Sequence, residues 1–164
     1  MTRPAFDPQQ AKRRHAARMA AVQALYQVGQ SGDSADEVIR QFEKHRFDAS
    51  GDEASIADPD REFFRSVVNG AADQRDQLDE LIGSALLAGW TLGRIEQVIR
   101  AILEAGAFEL VSRPDIPAKV VINEYADLAH DFHAASEAGF VNSVLDKLAR
   151  RLRAGEFEPA AKQS

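Results

Sequence analysis

The sequence predicts an all-α fold, a compact bundle of six to seven helices. Apolar residues recur at three- and four-residue spacing along nearly the whole chain. No stretch alternates apolar and polar residues over strand length between turn residues. The β-branched run at 119–123, KVVIN, continues into Tyr125, Leu128 and Phe132 at helical spacing and reads as helix. An apolar content of 45% over 164 residues is enough for one domain with its own core.

The first helix is predicted over about 9–29, closed by Gly29 or Gly32, with Met19, Val22, Leu25 and Tyr26 as its apolar stripe. A second, about 34–46, starts at Ser34 with Glu37 three residues on, the spacing of a capping box. The acidic, small-residue stretch 48–59, DASGDEASIADP, reads as a mobile loop. A long helical stretch from about 59 to 87 carries Phe63, Phe64, Val67, Val68, Leu78, Leu81, Ile82 and Leu86, with Gly70 marking close packing or a break. After the joint AGWTLGR, helix resumes over about 92–112 and stops at RPDIP. Pro117 opens the next helix, which runs to about 132, and a last one starts near Ser136. This gives a flexible start at 1–8, one domain over 9–153 and a disordered tail at 154–164.

There is no cysteine, so disulfides and thiolate metal sites are excluded. No apolar run approaches the ~20 residues of a membrane span, and the first residues lack a signal-peptide core. These features predict a cytoplasmic protein with no membrane association. The motif HDFH sets His130 and His133 at i, i+3 without a third ligand cluster. GWTLG lacks the Lys and Ser/Thr of a phosphate-cradling loop, and no nucleophile motif occurs. No enzyme activity, metal or cofactor is therefore expected. Asn123, set among apolar residues, is expected as a buried hydrogen-bonding residue.

The charge pattern is the strongest functional signal. Formal net charge is −6, yet Lys12, Arg13, Arg14 and Arg18 crowd the start of the first helix. At 100° per residue, Arg18 and His15 project within the apolar arc, with Arg14 just beside it. Burying an unpaired arginine is costly, so the first two turns are expected to overhang the core and stand in solvent. Cations at a helix start also oppose the macrodipole, an unfavourable arrangement that a polyanionic partner offsets. Arginine suits phosphate forks and stacking on unpaired bases.

KRRHAARMAAVQALYQ, FFRSVVNGA, the block RIEQVIRAILEAGAFELVSRPDIPAKVVINEYADLAHDF and FVNSVLDKLA resemble, in order, the segments of the NusB family of bacterial transcription antitermination factors. The resemblance implies an all-helical fold. It also implies binding of boxA single-stranded RNA in nascent ribosomal RNA transcripts, together with the small-subunit ribosomal protein NusE. The assembly acts on RNA polymerase with other Nus factors. By the same resemblance Lys12, Arg13, Arg14, His15, Arg18 and Phe140 are RNA-binding positions, and Glu96 supports the NusE contact. The chain departs from the family pattern at Gly139, where a basic residue often precedes the aromatic. It departs again at His15 and Ala16, where arginines occur. Each change removes charge and predicts weak RNA binding without a partner. The RNA cytosine methyltransferases share the fold in an RNA-binding domain, but their catalytic cysteines have no counterpart here. The alternative reading is a helical protein-interaction module whose basic helix binds an acidic protein. The sequence leaves open monomer or homodimer, a homodimer being one way to cover that helix.

Overall fold

A computed structural model of the chain describes residues 7–48, 58–87, 89–132 and 134–158. Among these there are seven α-helices and no strand: α1 Pro8–Ser31, α2 Ala35–Phe42, α3 Arg61–Asp73, α4 Arg75–Ala85, α5 Gln97–Ser112, α6 Ala118–Asp131 and α7 Ala138–Leu152. The β-branched run at 119–123 lies inside α6, as its spacing requires. The stretch expected as one helix over 59–87 is two, because Gln74 (φ −100°, ψ 16°) leaves helical geometry. The helix expected from Leu92 starts only at Gln97, since Leu92–Arg94 forms a 3-10 turn. Most of the expected 48–59 loop, at 49–57, lies outside the described residues, as do 1–6 and 159–164. The chain forms two compact units, Met1–Asn69 and Gly70–Ser164.

In the first unit, α1 opens on a cap: the Asp7 carboxylate accepts from the Gln9 N–H at 3.0 Å, and proline fills the first turn. The buried face of α1 is Ala17, Ala20, Ala21, Val22, Ala24 and Leu25, with Arg18 among them. It is wider and smaller in side chains than the predicted stripe, and Tyr26 is exposed. In α2, Ser34 accepts from the Glu37 N–H at 3.2 Å, and Val38, Ile39 and Phe42 are buried. Past α2 the chain continues as a π turn, Glu43–Phe47. The Phe64 ring receives Phe42 at 5.8 Å and the edge-on Phe47 ring at 5.1 Å. Two α3 arginines, one turn apart, pin the π turn in place. Arg65 forks onto Glu43 at 2.6 and 2.7 Å, and Arg61 meets Asp48 at 2.6 Å. The Arg65 hydrogen bond holds the Glu43 carboxyl below the usual range.

In the second unit, α5 is the central element, with residues 101–110 all buried. Two of these are carboxylates. Glu109 is fully buried and accepts from the Tyr125 hydroxyl of α6. Glu104 sits in a four-residue network with α4. Arg75 Nε lies 3.2 Å from it, Arg100 Nε 3.5 Å, and Arg100 reaches Asp79 at 2.7 Å. Burial, reinforced by the neighbouring Asp79 carboxyl, pushes the Glu104 carboxyl up to about 8. At Gly70 the close packing suggested by the sequence is present, for a Cβ there would lie 2.0 Å from Phe108 Cε1.

The expected disordered tail is corrected over 154–158. Ala154–Phe157 forms a 3-10 turn, held by one arginine and one glutamate. Arg153 donates to the carbonyls of Glu109 (2.8 Å), Leu110 (3.0 Å), Arg113 (2.7 Å) and Ile116, which ties the tail to the end of α5 and the turn after it. Glu156 meets Arg153 at 3.1 Å and accepts from the Ala118 N–H at 2.8 Å, capping the start of α6. That backbone bond holds the Glu156 carboxyl below its ordinary range.

Candidate nucleic-acid interface

The basic start of α1 does not overhang. It lies along the start of α3, within the first unit, and the contact is built around Phe63. Asp60 caps α3 by accepting from the Phe63 N–H at 3.0 Å through Oδ1, while its Oδ2 stands 3.8 Å from Arg14 Nε. The Asp60 N–H in turn donates to the Arg13 carbonyl at 3.1 Å, and Arg13 Nε donates to the Asp58 carbonyl at 3.2 Å. The guanidinium carbons of Arg14 and Arg18 both sit 4.9 Å from the centroid of the buried Phe63 ring.

This geometry sorts the predicted RNA-binding positions by access. Lys12 and Arg13 are exposed. Arg14 keeps 26% of its side chain in solvent. His15 is half-buried and also engaged by a neighbour. Arg18 is 2% exposed, which overturns the expectation that it stands in solvent. The helical arc placed it correctly on the inward side. Its charge is tolerated there because the guanidinium lies on an aromatic face, with a further interaction besides. Phe63 and Asp60 are the residues that sequence reasoning missed. The signal was present: Asp60 follows Asp58 and Pro59, and stands immediately before an apolar helical run, as an N-cap does.

The remaining candidates belong to the second unit. Phe140 lies in the first turn of α7, half-buried, with its ring 5.9 Å from that of Trp90. Glu96 is exposed at the N-cap of α5, without a side-chain capping bond. Asn123 is exposed on α6, contrary to the buried role expected for it. Among the described residues no cluster of three or more His, Cys, Asp or Glu is arranged to hold a metal ion. Among them, too, no helix is long and apolar enough to cross a membrane.

Comparisons with known proteins agree with this arrangement. The chain is 48% identical over 147 residues to the transcription antitermination protein NusB of Nitrobacter hamburgensis, covering 90% of this chain and 92% of that one. It is also 48% identical over 149 residues to the protein of that name from Rhodopseudomonas palustris strain HaA2, with 90% and 87% covered. Among solved structures, T. maritima NusB superposes with a TM-score of 0.71 at 26% identity, covering 97% of this chain and all of that one. The NusB chain of a crystal structure of antitermination factors NusB and NusE with dsRNA has the same fold, at a TM-score of 0.70 and 22% identity over 84% of this chain. The NusB family model matches residues 15–150, so the chain belongs to the NusB family.

Proposed function

We propose that this protein is a non-catalytic, cytoplasmic transcription antitermination factor. It binds boxA single-stranded RNA of nascent ribosomal RNA transcripts jointly with NusE, in an assembly with RNA polymerase and other Nus factors. The observation that carries this reading is the family match over 15–150, which takes in α1 from His15 onward, α2 to α6, and α7 up to Arg150. A NusB–NusE–RNA assembly is known for a protein of the same fold.

In this mechanism Lys12, Arg13 and the solvent side of Arg14 contact phosphates, and Phe140 offers a face to an unpaired base. Arg18 acts by holding the patch on Phe63. Glu96 contributes to the NusE surface. With His15 and Ala16 in place of arginines, the chain alone has few phosphate contacts. NusE supplies more of them to the same RNA and raises affinity through effective concentration.

The test is a salt titration of labelled boxA RNA against the protein, with and without NusE. Two to three phosphate contacts predict a slope of log K against log salt between about −1.4 and −2. The double variant Lys12→Ala, Arg13→Ala lowers its magnitude by about 1.4. An unchanged slope removes the patch from the interface. Tight NusE binding with no RNA binding, alone or in the complex, supports the helical interaction module instead.

A further inference from the structure

The second unit carries an aromatic and basic surface around Phe140, of which the family resemblance assigns Phe140 alone. The loop after α4 turns at Gly89, whose φ of 92° suits glycine, and the Trp90 N–H donates to the Leu87 carbonyl at 3.0 Å. The turn leaves Trp90, the single tryptophan of the chain, 51% exposed beside Phe140. An isolated exposed apolar residue is ordinary, but two large aromatic rings paired at the surface are not accounted for by the core.

Three cations converge on the same region. Lys147 Nζ reaches the Ala85 carbonyl at 3.5 Å, Arg151 donates to Ser84 Oγ at 3.0 Å, and Arg94 donates to the Gly89 carbonyl at 3.0 Å. Among the described residues their hydrogen bonds go to carbonyls and a hydroxyl, not to carboxylates. Lys147 and Arg151 thus settle the end of α4 and Arg94 the turn at Gly89, and the three charges remain available to an anion, with Arg94 and Arg151 exposed. Phe140, Lys147 and Arg151 fall within about 40° of one another around α7, so ring and charges form one ridge. Aromatic faces interleaved with cations are the composition of a single-stranded nucleic-acid platform, in which bases stack and phosphates run along the charges.

We infer that Trp90 is a base-stacking residue, paired with Phe140, and that Arg94, Lys147 and Arg151 track the adjoining phosphates of the same single-stranded RNA. This rests on the RNA-binding reading above. It extends the contact to a second strand segment, away from the α1 arginines in sequence.

The experiment uses the full chain, labelled boxA RNA and the intrinsic fluorescence of Trp90. RNA addition should quench that fluorescence. Trp90→Ala should weaken RNA binding about tenfold, while Trp90→Phe, which keeps a ring, stays near the parent. The three added contacts should steepen the parent slope by about 2 beyond the value set by the α1 cations, and Arg94→Ala and Lys147→Ala should each reduce its magnitude by about 0.7. Because Trp90 is half exposed, the melting temperature of its variants serves as a control for folding. If Lys12→Ala, Arg13→Ala loses RNA affinity while Trp90→Ala and the fluorescence do not respond, this inference falls and the RNA-binding reading stands. If Trp90→Ala weakens NusE binding but not RNA binding, the pair is a protein contact and the inference falls. If the parent chain binds no RNA with or without NusE, both readings fall together.

Discussion

Arg18 shows how one side chain joins charge to packing. Its guanidinium is buried against Phe63, on whose ring Arg14 also lies, while Asp60 holds both Arg14 and the start of α3. Removing Arg18 takes away packing over the ring and opens the inner side of α1, whereas removing Lys12 or Arg13 removes exposed charge. Arg18→Ala should therefore lower stability by on the order of 1–3 kcal/mol, and Lys12→Ala should leave it unchanged within about 0.5 kcal/mol. Thermal unfolding of the two variants tests this; equal melting temperatures would place Arg18 with the solvent-facing cations. The sequence located Arg18 on the inward arc through the 3.6-residue period alone. It did not reveal that the charge is accommodated, because Phe63 lies 45 residues away and a one-dimensional pattern carries no long-range contact. Phe140 was named through family resemblance alone, and its pairing with Trp90 depends on the turn at Gly89, which the sequence pattern does not show.

Helices were legible wherever periodicity was sustained, as in α1, α6 and α7, and less so where neighbouring helices abut. The α3–α4 break at Gln74 has no proline or glycine at that position, so the apolar pattern ran across it. The tail was misjudged for a related reason. Ala154 to Glu158 has little apolar content, and its order comes from Arg153 and Glu156 serving the ends of α5 and α6. Gly70 is the element-scale feature with the clearest consequence. In a helix, alanine gains about 1 kcal/mol over glycine from propensity. Here its Cβ would stand 2.0 Å from the buried Phe108 ring, and overpacking costs typically 1–3 kcal/mol. The clash is deep and the ring is enclosed, so Gly70→Ala should be destabilising in chemical denaturation. Adding Phe108→Leu should recover part of the loss as a positive coupling in a double-mutant cycle. A single variant as stable as the parent would mean that the ring shifts freely.

For the whole molecule, the distribution of protons matters as much as net charge. Most shifted carboxyls, Glu37, Glu43 and Glu156, are held below their ordinary range by arginines and a backbone N–H. Their stabilisation is present above about pH 4.5 and fades as they protonate on acidification. Glu104 works in the opposite direction. It is 4% exposed, with Asp79 and Arg75 of α4 and Arg100 of α5 around it, and its carboxyl is pushed up to about 8 by burial and then by Asp79. Between pH 4.5 and about 8 the folded chain binds a proton that the unfolded chain has released. Stability from this site is thus complete below pH 4.5 and is lost as pH rises through 8. Glu104→Gln keeps the neutral shape and cannot ionise, so the parent should lose melting temperature relative to the variant as pH rises from 5 to 9. Parallel curves for parent and variant would mean that Arg75 and Arg100 keep Glu104 ionised, and that the network is a conventional buried ion cluster.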